Sequence, residues 1–289
     1  MTAVNQPVVP GDPVGAPACV RHPDRVTGLR CTRCERPACP ECLREASVGY
    51  QCVDCVSEGR RTVRPARTFV GAELSSRLIV TPVLIALNVL LFAVTAVQAG
   101  SVMGNQNSPF FAEFFLWPAG VYYGEWWRLF TSGFLHFGPA HLALNMIALY
   151  VLGRDLEPVF GKVRFLAVYL VSLLGGGVAV YLFGAVNTPV AGASGAVYGL
   201  MGAMLVAVLR LKLNPGSALG VIGLNLVLSF TLPGISLLGH LGGLVVGAAV
   251  TAGLVYAPPA RRNAWQAGAV AAAFALLVVM AFVRTGQLG

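Results

Sequence analysis

The chain has 289 residues, of which 56% are hydrophobic and only 11% are charged. Soluble globular domains carry about 25% charged residues, so the composition excludes a protein that is soluble throughout and indicates a membrane protein. The formal net charge is +8. This charge does not indicate a nucleic-acid-binding protein, because the arginines cluster beside apolar segments, where membrane topology places them.

Residues 1–18 are polar and rich in Pro, Gly and Val. They lack the basic start and the apolar core of a signal peptide. We expect no signal peptide here and predict that this segment is disordered.

Four pairs of candidate metal ligands follow, and two residues separate the members of each pair. The pairs are Cys19/His22, Cys31/Cys34, Cys39/Cys42 and Cys52/Cys55, and they include all seven cysteines. This gap lets both side chains of a pair reach one tetrahedral ion. The eight ligands predict two zinc ions in a module at residues 19–60, since the expected cytoplasmic location disfavours disulfides. Redox thiols or a disulfide scaffold are the alternatives.

The spacing of these pairs resembles a B-box-type zinc finger, in which alternating pairs share an ion. The resemblance implies that one zinc ion is bound by Cys19, His22, Cys39 and Cys42, and the other by Cys31, Cys34, Cys52 and Cys55. Pairing of neighbours along the chain stays open, because the last pair has cysteines where that family usually has histidines. About 40 residues cannot bury much of a core, so metal would supply most of the folding free energy. We expect the module to bind a protein partner, sense zinc or tether a regulator.

A basic linker at residues 61–77 leads into seven apolar segments. A helix needs about 20 mostly apolar residues to span a bilayer. The predicted spans are residues 78–98, 138–153, 163–184, 194–211, 217–233, 236–256 and 264–283. Between the first two spans, residues 99–136 are rich in aromatic residues and are predicted to form a loop at the membrane interface, where Trp and Tyr are enriched.

Lys and Arg residues predict how these spans are oriented. They cluster at Arg60, Arg61, Arg64, Arg67 and Arg77, at Arg154, Lys162 and Arg164, at Arg210 and Lys212, and at Arg261 and Arg262. If seven helices alternate, all these positions lie on one side, which the positive-inside rule identifies as cytoplasmic. We therefore predict a multi-pass protein of the plasma (cytoplasmic) membrane, with a cytoplasmic N-terminus and an external C-terminus.

Ser194 and His240 are two polar residues inside apolar spans. Ser194 lies in Gly192-Ala193-Ser194-Gly195 at the outer end of the fourth span, and His240 lies about one turn inside the outer end of the sixth. Polar residues at membrane depth usually face a cavity or a functional site. A serine hydroxyl becomes a nucleophile when an adjacent base takes its proton. We predict that Ser194 is the nucleophile and His240 the base of a site that faces the external side.

Small residues indicate that these two spans touch. Stripes of glycine run along both helices, at Gly195 and Gly199 and at Gly239, Gly243 and Gly247. Such stripes let helix backbones approach closely in lipid.

Acyl transfer also needs hydrogen-bond donors for the oxyanion. His141 and Asn145 lie four residues apart on one face of the second span, near the same end. The backbone N–H of Ser194 is free at a helix start and is a further candidate.

Together these motifs resemble the rhomboid intramembrane serine proteases over residues 75–255. The resemblance rests on Gly192-Ala193-Ser194-Gly195, Gly239-His240-Leu241-Gly242-Gly243, His136-x4-His141-x3-Asn145, Trp127-Arg128 and Tyr198. It implies an all-α six-helix catalytic domain at residues 78–256, followed at residues 257–289 by an extra transmembrane helix without an assigned task.

The resemblance also implies a role for each site residue. Ser194 and His240 would form the catalytic dyad, and His141 and Asn145 would supply the oxyanion-hole side chains. The ring of Tyr198 would pack against His240, and the site would be shaped by Gly192, Gly195, Gly239 and Gly243. The aromatic insert would lie in the outer leaflet and, with the fifth span, admit substrate from the side.

Other polar residues near the site are predicted to be structural. We expect Arg128 and Glu125 to stabilise the insert, His136 to stabilise a loop, and Glu157 to cap a helix or pair locally.

The predicted function is an intramembrane serine endopeptidase that cleaves transmembrane segments of single-pass proteins. No cofactor is expected for this chemistry, and the bilayer and the substrate segments are the expected partners, with no nucleic acid. One alternative is a catalytically silent rhomboid-like protein that binds and escorts membrane segments. The other is a transporter, which predicts internal repeats; the sequence contains no such repeat.

Overall fold

The computed structural model describes residues 15–62, 66–74, 77–231 and 234–288. Of the segment predicted to be disordered, residues 1–14 lie outside these ranges, and Ala18 already belongs to a strand. The chain divides into two compact units, Met1–Pro65 and Ala66–Gly289.

Within its described residues, the first unit contains two small sheets, a short 3₁₀ helix and one α-helix around an interior made mostly of cysteines. Antiparallel strands β1 (Ala18–Cys19) and β2 (His22–Val26) form one sheet, β3 (Leu43–Glu45) and β4 (Tyr50–Cys52) form the other, and helix α1 (Val53–Thr62) follows. Apart from cysteines, the apolar cluster buried among the described residues here contains only Ala38 and Leu43. Such a small apolar interior is typical of units that metal ions stabilise.

The second unit is all-α, as predicted. Its helices within the described residues are α2 (Val80–Ala99), α3 (Pro109–Phe114), α4 (Pro118–Tyr122), α5 (Arg128–Thr131), α6 (Gly138–Phe160), α7 (Lys162–Phe183), α8 (Ser194–Arg210), α9 (Gly216–Thr231), α10 (Leu237–Val255) and α11 (Arg262–Leu288). Each predicted span overlaps one of the longer helices. The aromatic insert contains α3, α4 and α5, so short helices interrupt the predicted loop.

Helix length separates the spans into two groups. By length and composition, four helical segments of the described residues could cross a membrane, namely α2, α7, α10 and Pro259–Leu288, which contains α11. A fifth candidate combines α6 with Arg128–Phe134, to which it is bent by 91°. Helices α8 and α9 are apolar but have only 17 and 16 residues. The number of spans, seven by sequence, therefore stays a prediction.

Glycines let the central helix α7 pack closely against its neighbours. A Cβ on Gly176 would lie 2.7 Å from the carbonyl oxygen of Gly239, and one on Gly177 would lie 3.2 Å from the carbonyl carbon of Leu129. Only residues without a side chain permit this approach of one backbone to another. The contact places α7 beside the first turn of α10, which carries His240.

Glu157 of α6 caps a different helix, α2. Its Oε1 accepts hydrogen bonds from the backbone N–H groups of Ile79 and Val80, at 2.7 and 2.8 Å. Its Oε2 accepts from the N–H and the hydroxyl of Thr81, at 2.8 and 2.7 Å. The first N–H groups of a helix have no intrahelical partner and favour a negative charge. Of the two roles predicted for Glu157, capping a helix is confirmed and local pairing is not, since the cap joins residues up to 78 positions apart.

Gln266 ties α11 to the rest of the second unit. Its Nε2 donates to the carbonyls of Val70 and Leu254, at 3.0 and 2.8 Å, and its Oε1 accepts from Arg164 Nε at 2.7 Å. Val70 is fully buried, although it falls within the predicted basic linker. The extra helix is therefore joined by one amide side chain to α7, to α10 and to residues 66–74.

Candidate active site

The two glycine stripes meet and bring α8 and α10 into backbone contact. A Cβ on Gly243 would lie 2.7 Å from the carbonyl carbon of Gly195, and a Cβ on Gly247 would lie 2.6 Å from that of Gly199. Real Cβ atoms essentially never come within 3.0 Å of another heavy atom. The prediction that the stripes face each other is confirmed. Gly239 lies at the same contact, because its carbonyl oxygen is 3.4 Å from the position that a Cβ on Gly195 would take.

Ser194 and His240 line one cavity of about 970 Å³, together with His141, Asn145 and Ser229. Ser194 is the first residue of α8, and His240 lies in the first turn of α10 and is 7% exposed. Within the described residues no hydrogen bond joins Ser194 to His240, whose Nδ1 instead contacts Ser229. Catalytic hydrogen bonds are often long in unliganded enzymes and tighten when substrate binds. The cavity thus brings the predicted nucleophile and the predicted base to one site without a hydrogen bond between them.

The ring of His240 is held by residues of two other helices. It stacks on Tyr198 of α8, with ring centroids 4.0 Å apart and planes inclined by 15°. Its Nδ1 lies 2.7 Å from the Oγ of Ser229 on α9. Sequence reasoning missed Ser229. The available signal was its spacing of four from Asn225 in an apolar span, which places two polar residues on one helix face.

His141 packs against Gly192, in the loop before Ser194. A Cβ on Gly192 would lie 2.8 Å from His141 Cε1 and 2.9 Å from its Nε2, and Gly192 has a φ of +136°, which disfavours other residues. His141 Nδ1 accepts a hydrogen bond from the backbone N–H of Phe137 at 3.3 Å. In the neutral ring the proton therefore lies on Nε2. This N–H group can donate to an oxyanion in the cavity.

Asn145 presents an amide to the same cavity. Its Nδ2 donates to the carbonyl of His141 in its own helix, at 2.9 Å. An amide nitrogen carries two protons, so one N–H remains for a second acceptor.

The backbone before Ser194 is anchored by the segment that precedes α6. The N–H of Ala193 donates to His136 Nε2 at 3.4 Å, and the N–H of Gly192 donates to the carbonyl of Ser132 at 3.0 Å. His136 is fully buried, and its carbonyl accepts from Asn105 Nδ2 at 2.8 Å. These bonds agree with the structural role expected of His136. They also leave the N–H of Ser194, at the helix start, without an intrahelical partner.

Arg128 holds the aromatic insert together. It is 4% exposed, forms an ion pair with Glu125, and donates from one guanidinium nitrogen to the carbonyls of Ala112 and Phe115, at 2.9 Å each. A buried arginine with several acceptors orders the chain around it. This is the structural role that the sequence predicts for Arg128 and Glu125.

Comparison with known proteins identifies the family. The family model of the rhomboid domain matches residues 123–257. The protein described as "Putative rhomboid protease YdcA" from Bacillus subtilis (strain 168) is 36% identical over 133 residues, which cover 44% of this chain and 67% of that protein. The chain belongs to the rhomboid family.

Two further relatives show how far the similarity to this rhomboid extends. Rhomboid protease AarA of Providencia stuartii is 27% identical over 239 residues, 70% of this chain and 82% of that protein. Rhomboid protease GluP of Bacillus subtilis (strain 168) is 36% identical over 172 residues, 58% of this chain but only 33% of its own length. The match to the rhomboid domain contains Ser194, His240, His141, Asn145 and Ser229 and ends before α11.

The first unit of this rhomboid has two groups of side chains that could hold metal ions. One group is Cys19, His22, Cys39 and Cys42, the other is Cys31, Cys34, Cys52 and Cys55, and the ligand atoms of each lie within 4.8 Å of one another. These are the groups that the alternating pairing predicts. The Sγ atoms of Cys34 and Cys52 are 3.8 Å apart. Two sulfurs bound to one zinc ion at 2.3 Å in a tetrahedron are also about 3.8 Å apart, so the donors fit zinc.

The pKa values of the clustered cysteine thiols indicate that a bound cation would stabilise these groups. The pKa of Cys19 is lowered to about 6, mainly by a hydrogen bond to the backbone of Cys39, whereas burial and the neighbouring thiols raise the pKa of Cys42 to about 11. Neighbouring thiolates repel one another, so they do not all ionise without a compensating charge. A divalent cation provides that charge and displaces the remaining protons.

Proposed function

We propose that this rhomboid is an intramembrane serine endopeptidase that cleaves transmembrane segments of single-pass membrane proteins. The observation that carries the proposal is the single cavity lined by Ser194, His240, His141 and Asn145. The similarity to proteins named rhomboid proteases supports the same function.

The reaction uses Ser194 as nucleophile and His240 as general base and acid. His240 Nε2 takes the hydroxyl proton while Ser194 Oγ forms a bond to the scissile carbonyl carbon. The carbon–nitrogen bond then breaks, and His240 returns the proton to the leaving amine. Water, activated by the same histidine, hydrolyses the acyl-enzyme and restores Ser194. This chemistry uses only groups of the chain itself and water.

The oxyanion is stabilised by three N–H groups on the cavity wall. They belong to the ring of His141, the amide of Asn145 and the backbone of Ser194. Preorganised donors act strongly in a site from which water is largely excluded, and each contributes about 10²–10³ in rate. The hydrogen bond from Phe137 to His141 Nδ1 supports this role, because it leaves the proton on the nitrogen beside Gly192.

Substrate reaches the cavity laterally, past α9. Among the residues of α9, only Ile222 and Ser229 are buried, while large apolar side chains such as Leu224 and Phe230 are exposed. A helix with few buried residues is held by few contacts and opens more readily than a central one. Its apolar outer face suits contact with lipid or with a transmembrane segment.

The protein lies in the plasma (cytoplasmic) membrane with its N-terminus in the cytoplasm and its site toward the external face. The positive-inside rule supports this orientation. The Cys/His unit is then cytoplasmic, binds two structural zinc ions and recruits a protein partner. Its donor set and the 3.8 Å distance between the Sγ atoms of Cys34 and Cys52 support zinc.

Reconstitution in liposomes tests the proposed activity. The wild-type protein and the Ser194→Ala variant are incubated with a panel of single-pass segments, and both are treated with a fluorophosphonate that labels activated serines. We expect the wild type to cut at least one segment and to be labelled, and Ser194→Ala to do neither. The protease proposal would be overturned if the wild type stayed unlabelled and cleaved none of the segments that remain intact with Ser194→Ala.

A binding assay on the same samples addresses the escort alternative. Wild type that retains a segment without cutting it and is not labelled acts as a silent escort. Labelling of wild type alone excludes that alternative.

A further inference from the structure

Ser229 makes three close polar contacts at one oxygen. Its Oγ lies 2.7 Å from the backbone carbonyl of Asn225, 2.7 Å from the hydroxyl of Tyr198, and 2.7 Å from His240 Nδ1. The side chain is buried, at 5% exposure, between α8, α9 and α10. All three distances fall within the normal range of hydrogen bonds.

Counting protons determines the direction of each bond. A hydroxyl has one proton to donate and two lone pairs that accept. The carbonyl of Asn225 can only accept, so the Ser229 proton points to it. Tyr198 must then donate its hydroxyl proton to Ser229, and His240 must donate a proton from Nδ1. The three bonds coexist only in this arrangement.

The arrangement determines which nitrogen of His240 is basic. A neutral imidazole carries one proton, and with that proton on Nδ1 the lone pair lies on Nε2. Nε2 makes no hydrogen bond within the described residues, and His240 lines the cavity that contains Ser194. A base can accept the nucleophile's proton only in this tautomer. The opposite tautomer would place a proton on the nitrogen that has to receive one.

We infer that Ser229 is a positioning residue that holds His240 in the Nδ1–H tautomer and orients its ring, so that Ser194, His240 and Ser229 act in sequence. The inference rests on the proposed protease function. When the ring becomes positively charged during catalysis, the Oγ of Ser229 also accepts from that cation. Ser229 is neutral, so we expect its contribution to be smaller than that of a carboxylate in the same place.

Nitrogen NMR tests the tautomer directly and does not depend on activity. The full chain is labelled with ¹⁵N-histidine and studied in bilayers at about pH 8, where histidine with an ordinary pKa near 6.5 is neutral. The signals of His240 are those that disappear in His240→Gln. We expect a protonated Nδ1 and an unprotonated Nε2 in the wild type, and a mixture of tautomers in Ser229→Ala. A wild-type His240 with its proton on Nε2 would refute the inference, even if Ser229→Ala does not fold.

Kinetics provide the second readout, with two matched variants. Ser229→Thr keeps the hydroxyl, and Thr231→Val removes a comparable hydroxyl of α9, one that among the described residues bonds only to backbone carbonyls of its own helix, at Val227 and Leu228. General base catalysis contributes about 10²–10⁴ in rate, so we expect Ser229→Ala to slow fluorophosphonate labelling roughly 10- to 100-fold. Ser229→Thr should recover most of the rate, and Thr231→Val should leave it unchanged.

The possible failures can be told apart. If Ser229→Ala is labelled as fast as wild type, the positioning role is wrong although the protease function stands. If wild type is not labelled at all, the protease function fails, and a wild-type His240 with its proton on Nδ1 would then reflect only a structural bond.

Discussion

Gly247 packs directly on the backbone of Gly199. A Cβ at Gly247 would lie 2.6 Å from the carbonyl carbon of Gly199, closer than any real side chain permits. One turn away, Gly243 has the same relation to Gly195, the residue after Ser194. The spacing between α8 and α10, and with it the distance from Ser194 to His240, therefore depends on the absence of side chains at these positions.

Substitution of Gly247 is predicted to separate the two helices. Overpacking costs about 1–3 kcal/mol, so we expect Gly247→Val to lower the free energy of unfolding by that amount. A displacement of about 1 Å can cost roughly 100-fold in rate, and labelling of Ser194 should fall accordingly. Gly223→Val is the matched control, because a Cβ on Gly223 meets no atom within 4 Å. Equal stability and labelling in the two variants would contradict the prediction.

The cap that Glu157 forms on α2 is predicted to stabilise the second unit. Glu157→Gln removes the charge and replaces one acceptor with a donor that faces backbone N–H groups. Hydrogen bonds to charged groups contribute about 1.5–3 kcal/mol, and we expect a loss of this size in thermal or denaturant unfolding. Asp155→Asn serves as control, since its carboxylate is 50% exposed and pairs only with Arg154 among the described residues. A Glu157→Gln variant as stable as this control would show that the cap contributes little.

Loss of an oxyanion donor should reduce turnover without reducing substrate affinity. For His141→Ala and for Asn145→Ala we expect kcat to fall about 10²–10³-fold with KM nearly unchanged, because the donors act mainly on the transition state. Initial rates of segment cleavage in liposomes give both constants, and the Ser194→Ala variant serves as the control without activity. An increase in KM at constant kcat would instead indicate that these side chains bind substrate.

Zinc content distinguishes the two ways of pairing the ligands. We expect the wild type to bind two zinc ions per chain, measured by metal analysis after a strong chelator has released them. A variant with serine at Cys31, Cys34, Cys52 and Cys55 should retain one ion, since the group with His22 stays complete. Pairing of neighbours along the chain would leave this variant without a complete site and therefore without tightly bound zinc.

Whether the Cys/His unit takes part in cleavage can be tested by measuring cleavage rates of the protein reconstituted in liposomes. We expect a double variant, Cys31→Ser with Cys34→Ser, to cleave segments in liposomes at the wild-type rate, because the proposed chemistry needs no metal. A large loss of cleavage would show that this unit takes part in the reaction rather than in recruitment.

The positions of the helices, the contact between α8 and α10 and the pairs of metal ligands follow from local patterns in the sequence. Apolar length predicted helices where the structure has them, because hydrophobic runs and breaks are properties of neighbouring residues. Glycines repeated every four residues predicted which faces of α8 and α10 meet, since this spacing places them on one side of a helix. The pairs of metal ligands were likewise predicted from local spacing, since two residues separate the members of each pair.

The tertiary structure alone decided which distant groups become partners. Glu157 caps α2, far from it in sequence, and the Oγ of Ser229 on α9 lies 2.7 Å from Nδ1 of His240 on α10. Periodicity predicts the face on which a residue lies, but the rotation and distance between helices depend on side chains packed across many non-local contacts. The sequence therefore predicted a nucleophile and a base, Ser194 and His240, and the helices that carry them. The packing of three helices decided that Nδ1 of His240 contacts Ser229, which leaves Nε2 without a hydrogen bond among the described residues.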